Sequence, residues 1–591
     1  MIGRLVLCFV ILAGSSQLVA QENSVLSVLP GDTTVVLQIP SIAKLSAKFE
    51  ASPLGKIQSL PEVAPVIDHF KNSLTKMRAE AKEETGFDPW DILTSLQGEL
   101  VVAYGSLSPL EMALTQQLSG GQPQVNSEDI ALLVAFDAGT EKDKFNAVLG
   151  RMFELGRQDG AGIEAQAFHG GQLTTITPPE GEIGGPKALY VAEHGSRFLF
   201  GLSKAMTEQV MAGLAEGKAT GLSQDPVFQT TFSQAGENSD LFFYVDVKNI
   251  TDSVTKSLSA TFFGFFWQQF QSLLLGQSLN NFGLSADLND DGVRQTVFIH
   301  NEGKKEGIWG WFGAPPLDPV PPGYTPEEAV TAYGIALDMG RVIDSLRSLA
   351  RTAMSMQGGG DPDMLFEQQL GVKLDDVIRA FGGRIDGFST KAGDPEKPLG
   401  DSTFVFTLKD SGPIKQLVSA VGTASGGTMQ LGEYQGHQMI TFLGMDAGQA
   451  AALAITDNRL IFSMEKESVE KVIRRLKTES SSLAGSESFR SAAARTPGKV
   501  SLYQYQSREY LQQMEEIYGS VIVEILSALD SPNVSFSATF NGEEVDIPPN
   551  LDKALVAALK ALSSSFGDVF GWGSWQDAGF YVETVTPFVK E

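Results

Sequence analysis

Gly86-Phe87-Asp88-Pro89-Trp90-Asp91-Ile92-Leu93, followed by Leu96 and Gly98, returns later in the chain as Gly371-Val372-Lys373-Leu374-Asp375-Asp376-Val377-Ile378, followed by Phe381 and Gly383. Self-similarity at long range is the signature of a structural unit used more than once, so the surroundings of these two stretches decide the fold. Moving outward, the matches keep one order. The strand ending at Phe136 and the helix through Phe145 answer to the strand ending at Leu408 and the helix through Leu417. Phe168-His169-Gly170-Gly171-Gln172 answers to Tyr434-Gln435-Gly436-His437-Gln438. Arg197-Phe198-Leu199-Phe200, with Lys204, Glu208, Val210 and Leu214, answers to Arg459-Leu460-Ile461-Phe462, with Lys466, Glu470, Val472 and Leu476. Phe228 and Tyr244 answer to Phe489 and Tyr503. The offset drifts along the chain, as insertions and deletions in surface loops produce.

Hydrophobic period fixes the elements inside each unit. Thr34 to Ile39 alternates as a strand, and Ser41 is placed to cap a helix through Phe49. Val63 to Glu84 keeps helical spacing, and Trp90 to Leu96 reads as a short helix. Glu99 to Tyr104 and Ile130 to Phe136 are strands, and Lys142 to Leu155 is a helix. Glu164–Phe168 with Gln172–Ile176, and Leu189–Ala192 with Arg197–Leu202, read as hairpins across glycine-bearing turns. Helices at Met206–Leu214 and Val227–Phe232 precede a strand at Leu241–Val245. A long helix and a last hairpin, Gly283–Leu288 with Val293–His300, close the unit. Hairpins pair antiparallel, so the fold class is α+β, not a doubly wound parallel sheet. The expectation is two tandem homologous units, each a mainly antiparallel sheet of hairpins with helices packed on it. Their bounds are 25–300 and 324–591, joined by a Trp/Pro/Gly-rich linker at 301–323. Pro315, Pro316, Pro319, Pro321 and Pro322 stiffen that linker, and Trp309, Trp311 and Phe312 are too apolar for a free tether.

This pattern resembles a family of uncharacterised exported bacterial proteins that carry a domain of unknown function. The carriers are the opening Leu29-Pro30-Gly31-Asp32-Thr33, the glycine-to-aspartate turn from Gly86 to Asp91, and the hairpins joined by short helices. The resemblance implies a tandemly repeated α+β unit and export, and it supplies no catalytic residues. The second unit departs from the opening, reading Pro322-Gly323-Tyr324-Thr325-Pro326.

Residues 1–20 have the plan of a secretory signal peptide: Arg4, an apolar run from Leu5 to Ala13, and Ala20 at the cleavage position before Gln21. The run is too short to span a bilayer, so a periplasmic or extracellular location is expected. Cys8 is the only cysteine. Cleavage removes it, leaving neither disulfide nor thiolate chemistry. The 591 residues are 42% hydrophobic and 19% charged, enough apolar content for packed cores, with 71 acidic against 44 basic residues and a net charge of −27. Such a surface repels phosphate backbones, which speaks against nucleic-acid partners while allowing a local basic patch. Phe262-Phe263-Gly264-Phe265-Phe266-Trp267 is interrupted by Gln268, Gln269 and Gln271, so it reads as a core helix rather than a span. Its alternative is a surface patch for lipid or a partner.

Catalytic motifs are absent from the sequence: it has no H-E-x-x-H, G-x-S-x-G, Walker loop or Cys/His metal spacing. Gly160-Ala161-Gly162-Ile163-Glu164-Ala165 fits a dinucleotide fingerprint but runs from helix to strand, the reverse of what a phosphate site needs. His69, His169, His194, His300 and His437 are scattered, and the matched positions do not repeat them. Asp91 and Asp376 are read as helix-capping residues. Asp287-Leu288-Asn289-Asp290-Asp291-Gly292 fits the first half of a calcium loop, with Asp287, Asn289 and Asp291 as ligands, but Phe298 stands where the bidentate Glu belongs. Asp291-Gly292 is also a hairpin turn signal, and the turn is the preferred reading. No cofactor is implied. What remains is a non-enzymatic envelope or secreted protein that binds a macromolecular partner through loops or the groove between units. The alternatives are a hydrolase with a carboxylate pair invisible in sequence, and a carrier of a lipid or hydrophobic ligand. For a partner, the expected rim is the loops Gly105–Asp129 and Thr177–Lys187 in the first unit, and Ser389–Asp401 and Leu443–Gln449 in the second.

Overall fold

The computed structural model describes residues 24–589, except 87, 89–91, 93, 119–128, 180–185, 260–263, 265–266, 269–270, 272–275, 277, 357–359, 393–400, 426, 443–449, 479, 530–537, 541–542 and 546–549. The signal-peptide segment, Asp91, the four phenylalanines from Phe262 to Phe266 and the loop 443–449 therefore lie outside the described residues. The chain is α+β, with antiparallel sheet throughout the described pairings. It divides into two compact units: residues 1–268, 279–302 and 539–554 form one, and 269–278, 303–538 and 555–591 the other.

The first unit contains β1 (Val35–Ile39), β2 (Leu100–Tyr104), β3 (Leu132–Asp137), β4 (Gly162–Phe168), β5 (Gly171–Thr177), β6 (Leu189–His194), β7 (Arg197–Gly201), β8 (Leu241–Val245), β9 (Asn281–Asn289) and β10 (Gly292–His300). Its helices are α1 (Ile42–Ala51), α2 (Ala64–Thr85), α3 (Ser108–Leu118), α4 (Lys142–Gln158), α5 (Lys204–Glu216), α6 (Pro226–Thr231) and α7 (Val247–Leu258). The strands hydrogen-bond in the order β10-β9-β8-β1-β2-β3-β7-β6-β5-β4. Local chemistry sets the joints. Ser41 and Ser203 cap α1 and α5 by accepting from the N–H groups of Lys44 and Met206, which satisfies donors the first helical turn cannot. His169 and Gly170 both have positive φ, +45° and +76°, as a two-residue hairpin turn of the right twist requires. The core beside β3 is aromatic: Phe145 meets Phe136 and Phe198 with ring centroids 4.9 and 4.5 Å apart.

The second unit contains β11 (Thr331–Ala336), β12 (Phe381–Ser389), β13 (Thr403–Leu408), β14 (Met429–Tyr434), β15 (His437–Phe442), β16 (Ala452–Ile455), β17 (Arg459–Ser463) and β18 (Leu502–Gln506). A separate two-stranded sheet, β19 (Ala538–Phe540) and β20 (Glu543–Val545), falls almost wholly in the 539–554 segment of the first unit, and the second unit resumes with β21 (Val569–Trp575) and β22 (Gly579–Pro587). Its helices are α8 (Met339–Met356), α9 (Pro362–Leu370), α10 (Leu374–Ala380), α11 (Gly412–Ala424), α12 (Lys466–Arg475), α13 (Glu487–Ala493) and α14 (Arg508–Leu529). α15 (Leu551–Ser565) precedes β21. The strand order is β22-β21-β18-β11-β12-β13-β17-β16-β15-β14. Gln435 and Gly436 turn the β14–β15 hairpin with φ of +50° and +87°. Tyr503, Tyr505, Phe489, Phe570 and Trp572 fill the core.

Two local expectations need correction. Gly105–Asp129 is not all loop, because Leu110 to Leu118 is an unbroken run of residues compatible with helix and α3 forms there. α3 meets α7 through a 2.6 Å ion pair between Glu111 and Lys256. Asp376 does not cap α10: the N-cap is Lys373, and Asp376 sits inside the first turn, where its charge faces the positive helix end. The apolar end of the linker is packed structure grouped with the second unit. Ala314 and Leu317 belong to its core, the Trp575 indole donates to the Phe312 carbonyl at 2.9 Å, and Trp309 and Phe312 meet the Phe580 ring.

Candidate functional site

The segment entering β11 is held by a buried polar knot. The Tyr324 hydroxyl donates to Asp386 on β12 at 2.8 Å. Arg384, two residues earlier on the same face of β12, grips that carboxylate with Nε at 2.9 Å and Nη2 at 2.8 Å, and also donates to the Val320 carbonyl at 3.1 Å. Asp386 is 2% exposed, so pairing with Arg384 is what makes its charge tolerable there. Arg459 on β17 lies over the Tyr324 ring, 5.4 Å from its centroid. Burial, then the charge and hydrogen bond of Asp386, push the Tyr324 phenol well above its usual range. On the neighbouring strand β11, burial and Asp386 push Tyr333 up to about 12. The tyrosine is thus a neutral, fixed wall.

Against that wall lies a cavity of about 270 Å³. Tyr324, Pro326, Phe388 and Val472 give it an apolar side, and one face of α12 gives it charge. Ser468, Lys471, Val472 and Arg475 recur at the three- and four-residue spacing that puts side chains on one helix face, and Arg474 stands beside them. Lys471 is exposed and makes no hydrogen bond or ion pair with the described residues. Arg475 donates through Nη2 to the Ser481 carbonyl, while its Nε is buried without a partner. Arg474 donates to the Tyr434 hydroxyl and lies 3.7 Å from Glu470. Thr390 and Asp401, at the two feet of the expected rim loop, complete the lining with Glu328. The Asp401 carboxylate is occupied. It accepts from the Ser389 and Thr390 hydroxyls, from the Thr390 N–H at 3.0 Å and from the Lys391 N–H at 3.3 Å.

None of the candidate metal, histidine or capping residues singled out from sequence lines this cavity, although the ends of the expected rim loop Ser389–Asp401 do. Asp287, Asn289 and Asp291 lie in the first unit, on the hairpin that joins β9 to β10. Asp287 receives Lys48 Nζ at 3.3 Å, and Lys48 also binds both oxygens of Asp240 at 2.7 Å. Burial raises the Asp287 carboxyl, but hydrogen bonds from Asn289 and Lys48 and the Lys48 charge outweigh it and hold the group below its usual range. Asn289 accepts from the Asp291 N–H at 3.0 Å, closing the turn. Among the described residues no group of three or more His, Cys, Asp or Glu is placed to hold a metal ion. Of the histidines, His300 is buried beside Asn280 at 3.2 Å and His169 turns a hairpin. Burial and the nearby Asp225 raise the carboxyl of Asp246, but Asp246 and Asp225 each cap a helix, α7 and α6, and neither lines the cavity. What sequence reasoning passed over is Lys471, Arg474 and Arg475. The available signal was a knot of cations within five residues of a chain with a net charge of −27.

Comparison with protein-family models, with curated proteins and with solved structures gave no match. Among the described residues no helix is long and apolar enough to cross a membrane.

Proposed function

We propose that the chain is an exported, non-enzymatic binding protein made of two copies of one α+β unit, and that it meets a macromolecular partner of the cell envelope through the rim of the second unit. The observation that carries the reading is the cavity at the feet of the 390–401 loop, because binding groups sit on loops and element ends held by a rigid scaffold. The repeat rests on agreement between the units in detail. The pairing orders coincide. Gly86 and Gly371, in the quoted stretch, both end helices in the left-handed conformation, at φ +79° and +66°. The Leu222 N–H donates to the Leu29 carbonyl at 2.9 Å, and the Leu483 N–H donates to the Thr325 carbonyl at 3.2 Å. On this match Leu29-Pro30 answers to Thr325-Pro326, so the opening of the second unit departs less than its letters suggest. Two matches shift by one alternation. Leu100 and Ile385, each two residues beyond a matched glycine, face Phe136 and Phe406, so Phe406 rather than Leu408 answers to Phe136. Phe228 packs on Tyr244 at 4.9 Å and Phe489 on Tyr505 at 5.4 Å, so Tyr505 rather than Tyr503 answers to Tyr244.

Export is tested by N-terminal sequencing of the mature protein, which is expected to begin near Gln21. The rim is tested by a photocrosslinking amino acid at Glu328, with Asp32 of the first unit as control. Adducts at Glu328 alone support the reading, and equal labelling at both positions, or none at either, overturns it.

A further inference from the structure

We infer that the cavity of the second unit binds a small organic phosphate, with the phosphate group against Lys471, Arg474 and Arg475 and the organic body against Tyr324 and Phe388. This deepens the proposed binding role at the same rim and names the chemistry recognised there. Charge decides the class of group. Three cations converge from one turn of α12, while the opposing Asp401 has its oxygens taken by the 389–391 turn. Glu328 is the other carboxylate of the lining, so three cations stand against two acids, one of them already satisfied, and an anion entering here meets an excess of positive charge. Lys471 is exposed and has no partner among the described residues, so the site offers an ammonium group that a ligand can satisfy without breaking existing bonds. Guanidinium and ammonium groups together suit a tetrahedral oxyanion carrying more than one charge better than a single carboxylate. Size decides the rest. About 270 Å³ is more than a bare phosphate fills, and it lies near the lower end of the ~300–1,000 Å³ range of ligand pockets. Tyr324 and Phe388 are the aromatic residues of the lining. Tyr324 is fixed there by Asp386 and Arg459, which leaves its ring, not its hydroxyl, to contact the ligand.

The corresponding place in the first unit has no such chemistry. On α5 the positions that answer to Ser468, Lys471, Arg474 and Arg475 are Met206, Gln209, Ala212 and Gly213. Val28 answers to Tyr324 and is 2% exposed. One protein thus contains its own negative control.

The test is isothermal titration calorimetry of the full mature chain with glucose 6-phosphate, glucose and inorganic phosphate at millimolar concentrations. Glucose 6-phosphate is expected to bind. Lys471→Glu, an exposed change that circular dichroism can certify as folded, should weaken it at least tenfold. Lys471→Arg and the distant charge reversal Lys218→Glu should leave it within twofold. No heat with glucose 6-phosphate, equal heat with inorganic phosphate, or equal weakening by Lys218→Glu would each overturn the inference. Crosslinking at Glu328 without phosphate binding would sink the ligand class and leave the rim standing. Phosphate binding without crosslinking would do the opposite.

Discussion

In the first unit, the helix that follows β7 lies flush on the segment entering β1. A Cβ added at Gly213 would stand 2.7 Å from the Cβ of Val28, and Met206, Val210, Met211 and Leu214 are buried. In the second unit, the helix that follows β17 stands off the segment entering β11, and the gap is lined by Tyr324, three cations and two carboxylates. Backbone pairing is the same in order on both sides. What differs is a handful of side chains on one helix face, which is enough to turn a sealed joint into a polar cavity. The clamps that hold the two entering segments differ in sign as well. Glu99 accepts from Ser24 Oγ, from the Val25 N–H at 2.8 Å and from Gln38 at 2.6 Å. At the matched position, Arg384 donates to the Val320 carbonyl. Either charge can tie down the strand before the sheet begins, provided its bonds are complete.

The largest expected contrast lies in the cores. Phe145→Ala removes a 2%-exposed ring from a four-ring cluster with Phe136, Phe198 and Phe200 and should cost about 4 kcal/mol. Leu417→Ala on α11, the half-buried residue expected from sequence to match it, should cost about half of that by the same rule. Urea denaturation of both variants measures the pair, and equal losses would break the comparison. Next comes the joint itself. Gly213→Leu must displace Val28 and should cost about 2–3 kcal/mol, whereas Arg475→Gly opens an existing cavity and should cost about 1 kcal/mol or less. A costlier Arg475→Gly would mean that the cavity wall is structural.

A smaller effect is expected with acid. His194 and His300, the histidines held below their usual range, are both in the first unit, and burial is the leading cause in each. A depressed histidine resists protonation in the folded state, so its contribution is present above the unfolded value of about 6.5 and is lost as pH falls through and below it. His300→Gln should therefore flatten the stability of the chain between about pH 7 and pH 5. An unchanged slope would remove His300 from the account. The smallest effect is a null one. Calcium calorimetry on the parent and on Asp291→Ala should give equal heats, because Asp287 is already paired with Lys48 and Asn289 with the turn. A heat lost in the variant would restore the loop as a calcium site.

Much of the fold was legible because alternation and turn residues act locally. The hairpin expected at Gly170-Gly171, which turns one residue earlier at His169-Gly170, the hairpin at Gln435-Gly436, the strand at Leu241–Val245 and the Ser41 cap all follow from neighbours a few residues apart. Register was not legible to the same degree. Leu502-Tyr503-Gln504-Tyr505 presents two tyrosines on one face, and a slip of two residues leaves every side chain on its correct side. Only the packing of Phe489 on Tyr505 tells the two apart. Sheet order was beyond reach, since nothing near β1 says that β8 will lie beside it. The cavity was invisible for a related reason. Tyr324, Thr390, Asp401 and α12 are distant in sequence, and a search for motifs of contiguous residues passes over a site assembled by the fold.

The place of β1 has a consequence for how the protein comes to be made. Val35 lies between Tyr104 on one side and Val245 on the other, so the strand that opens the unit is a central strand of its sheet. Until residues near 245 have been synthesised, β1 keeps an open edge, and the turn at Val25–Val28 lacks the partners at Thr220 and Leu222 that anchor it. Contacts of such long sequence separation must pay their loop entropy before any reward arrives, which slows folding. An open edge of this kind is a template for unwanted pairing until its partner strand covers it. Ribosome-stalled chains ending before and after Val245 should differ sharply in protease resistance, and that single strand should close the vulnerable interval.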